Sequence, residues 1–297
     1  MANAQPGILE AVPVVARYVS FAIAADSLAP AALPESLKRL AQAADGRKIV
    51  VGLGPGLVAA LGASVPSLHE FPSLSGNGVE VPSTPIALWC WLRGDDRGDL
   101  LHLSRRLARL LEPAFKVRHV MDAFRHKTGH DLTGYEDGTE NPKGEPAEEA
   151  ALVHGAGAGL DGSSHLAVQQ WVHDFDAFEL LADADRDNHF GRRLTDNVEL
   201  EDSPNWAHVK RTAQESFEPA AFMLRRSMPW TLNMQSGLMF VAFGTTHRAF
   251  EVQMRRMAGL DDGVVDAMFR ISKPVNGAYL WCPPVAGGAL DLRQLGL

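Results

Sequence analysis

Between Gly134 and Pro142 the chain reads Gly-Tyr-Glu-Asp-Gly-Thr-Glu-Asn-Pro, which sets the carboxylate of Asp137 in a glycine-bounded turn that Pro142 stops. Glycine reaches backbone angles that other residues resist, so such a loop can pass close to a flat ligand and hold its acid there out of water. The same acid can equally do no more than accept hydrogen bonds within its own turn. Two groups further along bear on the choice. His208, in Asn205-Trp206-Ala207-His208-Val209-Lys210-Arg211, is an imidazole with no obvious part in a core and is open to metal ligation. Arg225, in Met223-Leu224-Arg225-Arg226-Ser227-Met228-Pro229, is a fixed cation. It either pairs with an acid, as its neighbour Arg226 equally could, or stabilises charge developing on a substrate. Strand alternation sets Arg225 and Ser227 on one face and Arg226 on the other, so Ser227 can share the pocket that Arg225 faces.

The set resembles the dye-decolourising peroxidases, in particular their bacterial short-loop (B-type) subgroup. Gly134, Asp137 and Gly138 match the family's glycine-x-x-aspartate-glycine signature, and Thr139, Glu140, Asn141 and Pro142 fit its extended form. The likeness runs from Gly7-Ile8-Leu9 to Lys273-Pro274-Val275-Asn276-Gly277. It implies haem b, with His208 as the proximal iron ligand, Asp137 as the acid–base group that moves the peroxide proton, and Arg225 as the distal cation. Ser227 would share the distal pocket. Asp266 would accept the second ring proton of His208, raising its basicity. Arg192 and the backbone of Gly138, Thr139, Glu140 and Asn141 would meet the haem propionates.

The activity implied is reduction of hydrogen peroxide with one-electron oxidation of dyes and other small organic reductants, through an oxoferryl porphyrin radical. Tyr135, Trp206 and Trp230 lie close in sequence to the active groups, either as core packing or as an electron route from the surface. The alternative is a haem-binding protein that stores, carries or strips iron without peroxidase turnover, for which His208 would serve and the distal pair would be superfluous. The family also implies a homo-oligomer, a dimer or larger. Packaging in a protein shell is not expected, because little tail follows the last strand.

Composition narrows the remaining classes. Of 297 residues, 46% are apolar and 22% charged, ordinary for a globular protein with a sizeable core. A formal net charge of −8 argues against a general nucleic-acid surface, the pairs Arg105-Arg106 and Arg192-Arg193 notwithstanding. The two cysteines, Cys90 and Cys282, lie apart in apolar runs and read as buried free thiols of a reducing compartment. No Cys-x-x-Cys-His occurs, so the haem is expected to be non-covalent. No basic-then-apolar leader or membrane-length run is found, which makes cytoplasmic the default. Gly52-Leu53-Gly54-Pro55-Gly56 fails as a dinucleotide loop, and the acidic run from Asp183 fails as a calcium loop, with Asn188 and Leu194 where glycine and glutamate are needed.

The elements that must position these groups read as two similar halves. Strands are expected at 14–24, 48–53, 85–93 and 116–125, with helices at 33–44 and 99–111. In the second half, strands are expected at 166–173, 222–227, 238–243 and 278–282, with helices at 177–185 and 246–258. The fold class expected is α+β, a pair of duplicated ferredoxin-like units with antiparallel sheets and peripheral helices. The units span 1–130 and 165–297, the second holding the haem. Residues 131–164 form a glycine-rich linking loop.

Overall fold

The structure, a computed structural model, describes residues 3–24 and 31–297. In the first half, β1 (Val15–Ile23), β2 (Ile49–Leu53), β3 (Leu88–Gly94) and β4 (Phe115–Phe124) form antiparallel neighbours in the order β4-β1-β3-β2. Two helices cross this sheet on one side: α1 (Ala32–Ala43) and α2 (Arg97–Leu111). Asp96 caps α2 by accepting from Asp99 N at 2.9 Å, and Leu100, Leu107 and Leu111 recur on its buried face.

The second half repeats the order with β5 (Ser164–His173), β6 (Leu224–Arg225), β7 (Met228–Leu232), β8 (Gln235–Gly244), β9 (Ser272–Pro274) and β10 (Ala278–Cys282). Here the sequence is β10-β5-β8-β7, with β9 also on β5, β6 also on β8, and helix α3 (Arg248–Met257) outside. The expected class, α+β with two ferredoxin-like units, is the fold observed.

The two sheets close on each other. β2 meets β10 at Leu53 and Trp281, and β4 meets β7 at Ala123 and Trp230, so eight strands form a continuous ring. Closure removes the exposed edges that two separate sheets would leave. Strand alternation then sorts the side chains. Tyr18, Trp89, Trp91, Trp230, Met239 and Phe243 fill the ring, Tyr18 stacking on Trp89 at 5.6 Å and on Trp91 at 6.1 Å. Val19, Phe21, Cys90 and Leu92 point the other way, to α1 and α2, while Ala167, Trp171, Ala242 and Tyr279 pack beneath α3.

Four boundaries differ from the sequence reading. The helix expected at 177–185 is two short ones, Phe175–Glu179 and Asp183–Phe190. Asp174 caps the first through Ala177 N, and Ala182 is extended before the second begins. The strand expected at 222–227 keeps a ladder only at Leu224–Arg225, because Ser227 Oγ replaces a backbone acceptor for Val241 N at 3.3 Å. The chain then resumes as β7, which carries Pro229 inside it. β3 starts at Leu88, since Ala87 O is taken by Gly54 N. The linking segment is not all loop: Glu145–Ala151 is a helix that buries Ala147 and Ala151.

Candidate active site

The turn around Asp137 is built by its own backbone. Asp131 N donates to Tyr135 O, Gly134 N to Asp131 O, Asp137 N to Gly129 O and Asn141 N to Gly138 O. Gly138 has φ +78°, and a Cβ there would lie 2.8 Å from Asn141 Nδ2, so this position requires glycine for two reasons. Tyr135 fixes the outside of the turn, stacked on Phe190 at 3.8 Å with its hydroxyl donating to Asp187 at 2.6 Å. Asn141 ties the turn to β6. Its Nδ2 donates to Arg225 O at 2.9 Å and its Oδ1 accepts from Arg225 N at 2.8 Å. Asn141 thereby holds the acid's loop directly on the arginine, while Gln214 joins the same loop to Met223 by donating to Glu140 O and accepting from Met223 N.

His208 begins a helical turn, His208–Arg211. Arg211 anchors that turn with a two-pronged pair to Asp262 and a bond to Arg256 O. His208 Nδ1–H donates to Asp266 Oδ2 at 2.8 Å, while Asp266 Oδ1 accepts from Met268 N at 2.8 Å. Asp266 is fully buried, so both oxygens are occupied where water cannot serve them. Ala267 N to Trp206 O holds the two segments together. With Nδ1 engaged, the lone pair of Nε2 is the ring's remaining ligating position.

Asp137 and Arg225 stand where three hollows meet. An inner one of about 90 Å³ is mostly apolar, with Trp171, Met223, Leu238, Phe240 and Met254 among its walls, and His208 also lines it. An outer one of about 210 Å³ is polar, with Thr139, Glu140, Arg192, Lys210 and again His208. A third cleft, on the side of Ser227, does not include His208. Thus Asp137, Arg225, His208, Arg192, Gly138, Thr139 and Glu140 converge on connected space. Asn141 and Ser227 line the third cleft, and Asp266 stands behind His208. Arg192 bonds Glu140, Glu199 and Asn197 O, while Arg193 turns to Asp196. The Arg225 guanidinium has no hydrogen bond or ion pair among the described residues, and its Nε is buried without a partner.

Electrostatics separate two carboxylates in this region. Burial pushes the pKa of Asp137 above the usual carboxylate range, and the charge of Asp131 pushes it further. Arg225, His208 and the Gly138 N–H oppose that rise without cancelling it. Asp131 is also desolvated, but hydrogen bonds and charge from His173, with two donors from Thr133, hold its pKa below the normal value. His173 donates Nε2–H to Asp131 at 3.0 Å, and its Nδ1 lies 2.7 Å from Ser272 Oγ. Sequence reasoning missed this chain. Asp131-x-Thr133 carries an Asx-turn signal, but nothing local marks His173, which reaches the loop only because β5 ends beneath it.

The family model described as "Dyp-type peroxidase, C-terminal" matches residues 128–287, more than half of the chain, and the protein belongs to that family. Among curated proteins, a dye-decolorizing peroxidase of Mycolicibacterium paratuberculosis is 29% identical over 224 residues, 73% of this chain and 63% of the relative's length. Among solved structures, a dye-decolorizing protein from V. cholerae superposes with a TM-score of 0.83 at 27% identity, covering 98% of both chains. DyPB from Rhodococcus jostii RHA1 superposes at 0.83 with 24% identity, over 96% of this chain and 97% of that one, a likeness of fold.

Proposed function

We propose that this chain is a haem b peroxidase that reduces hydrogen peroxide and oxidises dyes and small organic reductants in one-electron steps. One observation carries the reading. An imidazole held by a buried carboxylate shares a cavity with an acid of raised pKa and an arginine whose guanidinium makes no hydrogen bond or ion pair among the described residues. Iron protoporphyrin IX suits this space. The hollow is amphipathic, apolar within and polar at its mouth, as the porphyrin is apolar at one edge and carries carboxylates at the other. The unpartnered Arg225 Nε and the remaining His208 nitrogen are the donor and ligand that such a group calls for.

Bound haem would supply the iron at which peroxide is reduced and the electrons for its reduction. The protein's own part is positional and protonic. His208 would hold the iron through Nε2, with Asp266 keeping Nδ1–H as donor and the ring electron-rich. Asp137, ionised, would take the proton from one peroxide oxygen and return it to the other, and its raised pKa brings it nearer the working pH of such a shuttle. Arg225, whose guanidinium makes no hydrogen bond or ion pair among the described residues, would stabilise the negative charge that grows on the departing oxygen. Ser227 lies on the cleft side of the same pair and would order peroxide or water there. Arg192, with the Gly138–Glu140 backbone, would face the propionates at the outer mouth, while Asn141 lines the third cleft instead. A storage protein has no use for the Asp137–Arg225 pair. Adding one equivalent of peroxide to the haem-loaded protein tests the choice. A rapid shift of the Soret band, reversed by a reducing phenol, is expected, and an unresponsive spectrum would favour storage.

We take residues 1–130 and 165–297 as the two units, joined by 131–164; the repeated strand order supports that division. We also propose a cytoplasmic homo-oligomer. Both cysteines are buried and free, which supports a reducing compartment, and among the described residues no helix is long and apolar enough to cross a membrane. Light scattering of the purified chain tests the assembly, and a monomer mass would reject it.

A further inference from the structure

The third cleft is the largest of the three hollows at Asp137, about 690 Å³, several times the inner and outer ones. Peroxide needs only a small fraction of that volume. The cleft's charge is also unlike the rest of the chain. Arg125, Lys143, Arg225 and Arg226 line it against two acids, Asp137 and Glu148, in a protein whose formal net charge is −8.

Among the described residues the side chains of Arg125, Lys143 and Arg225 have no ion pair. Arg226 is anchored, but by neutral acceptors only: Ile8 O, Leu9 O and Arg225 O at 3.1, 2.6 and 3.2 Å. Those bonds fix the guanidinium in place and leave its charge intact. Burial, with Arg93 beside it, lowers the Arg226 pKa to about 10, still fully protonated at neutral pH. His126 and His130, edge to face at 6.5 Å, add imidazoles to the same wall. Leu9, Val12, Ala147, Met228 and Pro229 supply an apolar wall. Fixed cations beside apolar surface recognise an organic anion, whose carboxylate meets the arginines and whose ring or chain covers the aliphatic side chains.

We propose that this cleft is a binding site for aromatic carboxylates, placed so that the bound acid lies next to Asp137 and Arg225. The choice of a reducing acid as ligand rests on the peroxidase reading above; the binding itself does not. Syringate and 2,6-dimethoxyphenol form a suitable pair of probes, since they share the methoxylated phenol ring and differ in one carboxylate. Binding of each to the haem-loaded full-length protein would be measured by calorimetry at low and at moderate salt. Steady-state oxidation of each would be measured in parallel.

Syringate is expected to bind more tightly than the neutral phenol, with an affinity that falls as salt rises. The double variant Arg125→Gln/Lys143→Gln changes two exposed side chains and should weaken syringate roughly five- to tenfold while sparing the phenol's Kd. Equal affinities for the two probes, or an equal effect of the variant on both, would overturn the proposal. Selective binding of syringate without oxidation of either probe would uphold the site and count against the peroxidase reading instead.

Discussion

Asn141 offers the sharpest test of how the site is assembled. Its amide makes two bonds to one residue, Nδ2 to Arg225 O at 2.9 Å and Oδ1 from Arg225 N at 2.8 Å. Asn141→Ala deletes both, leaving the Arg225 N–H unpaired in a part-buried setting and its C=O with only the bond from Arg226 Nη1 at 3.2 Å. At about 0.5–1.5 kcal/mol per bond the loss is roughly 1–3 kcal/mol of stability. For a chain of this size that lowers Tm by about 2–5 °C. The catalytic effect should be larger. Among the described residues no other side chain bonds Arg225 itself to the Asp137 loop, Gln214 reaching only Glu140 O and Met223 N, so the variant loosens their spacing by a fraction of an ångström to an ångström. Misplacement on that scale costs on the order of a hundredfold in rate. Stopped-flow mixing of haem-loaded protein with peroxide gives the second-order constant directly. The His208–Asp266 side is untouched by the change, so haem affinity and the resting spectrum should stay as in the parent. Asn141→Asp keeps the acceptor for Arg225 N and loses the donor, and should fall between the two. A peroxide rate constant equal to the parent's in Asn141→Ala would refute the clamp, whatever the Tm.

Three further expectations follow from the same geometry. Asp137 acts as a base only when ionised, and its pKa is raised, so the peroxide rate should fall as pH drops through that raised value; Asp137→Asn should be slow and lack this acid limb in a pH–rate profile. Linkage gives the stability counterpart: a folded-state pKa above the unfolded one favours the fold in acid, and that contribution is lost as pH rises. Asp137→Asn should therefore melt higher than the parent at neutral pH and lose the advantage in acid. Asp266→Asn leaves His208 with a weaker acceptor, and 10- to 100-fold losses in haem affinity or peroxide rate are expected, with unchanged values in both counting against its role. Trp206 is part-buried, with Arg270 over its ring at 4.5 Å and His189 against its edge at 5.6 Å. If it carries electrons from the surface, Trp206→Phe should slow oxidation of a bulky dye and leave the peroxide step intact; equal dye rates would remove it from the route.

Much of this fold is legible because its signals are local. The leucines of α2 recur every three or four residues, and the apolar runs of β2, β5 and β10 are bounded by polar or glycine positions, so type and place follow from periodicity. The ring closure has no such signal. Trp281 and Trp230 read as core residues of their own sheets, and only the tertiary structure shows them meeting Leu53 and Ala123. The break between β6 and β7 was hidden because it depends on Ser227 Oγ taking a backbone role. At the site, the glycines of the Asp137 turn are legible, since positive φ at Gly134 and Gly138 leaves a compositional mark. The partner of His208 lies 58 residues away, and its proximity to Asp266 came from resemblance, not from spacing. The clamp of Asn141 on Arg225 spans 84 residues and left no mark in the sequence at all.

The proposed function depends most on His208 being the residue that grips iron. Titrating haem into the apoprotein of the parent and of His208→Ala, and comparing absorption and electron paramagnetic resonance of the ferric products, measures that directly. The parent should give a histidine-ligated high-spin spectrum, and the variant should bind haem far more weakly or lose the nitrogen-ligand signature, with imidazole added to solution restoring it. The same spectrum and affinity in both proteins would contradict the assignment and the function built on it.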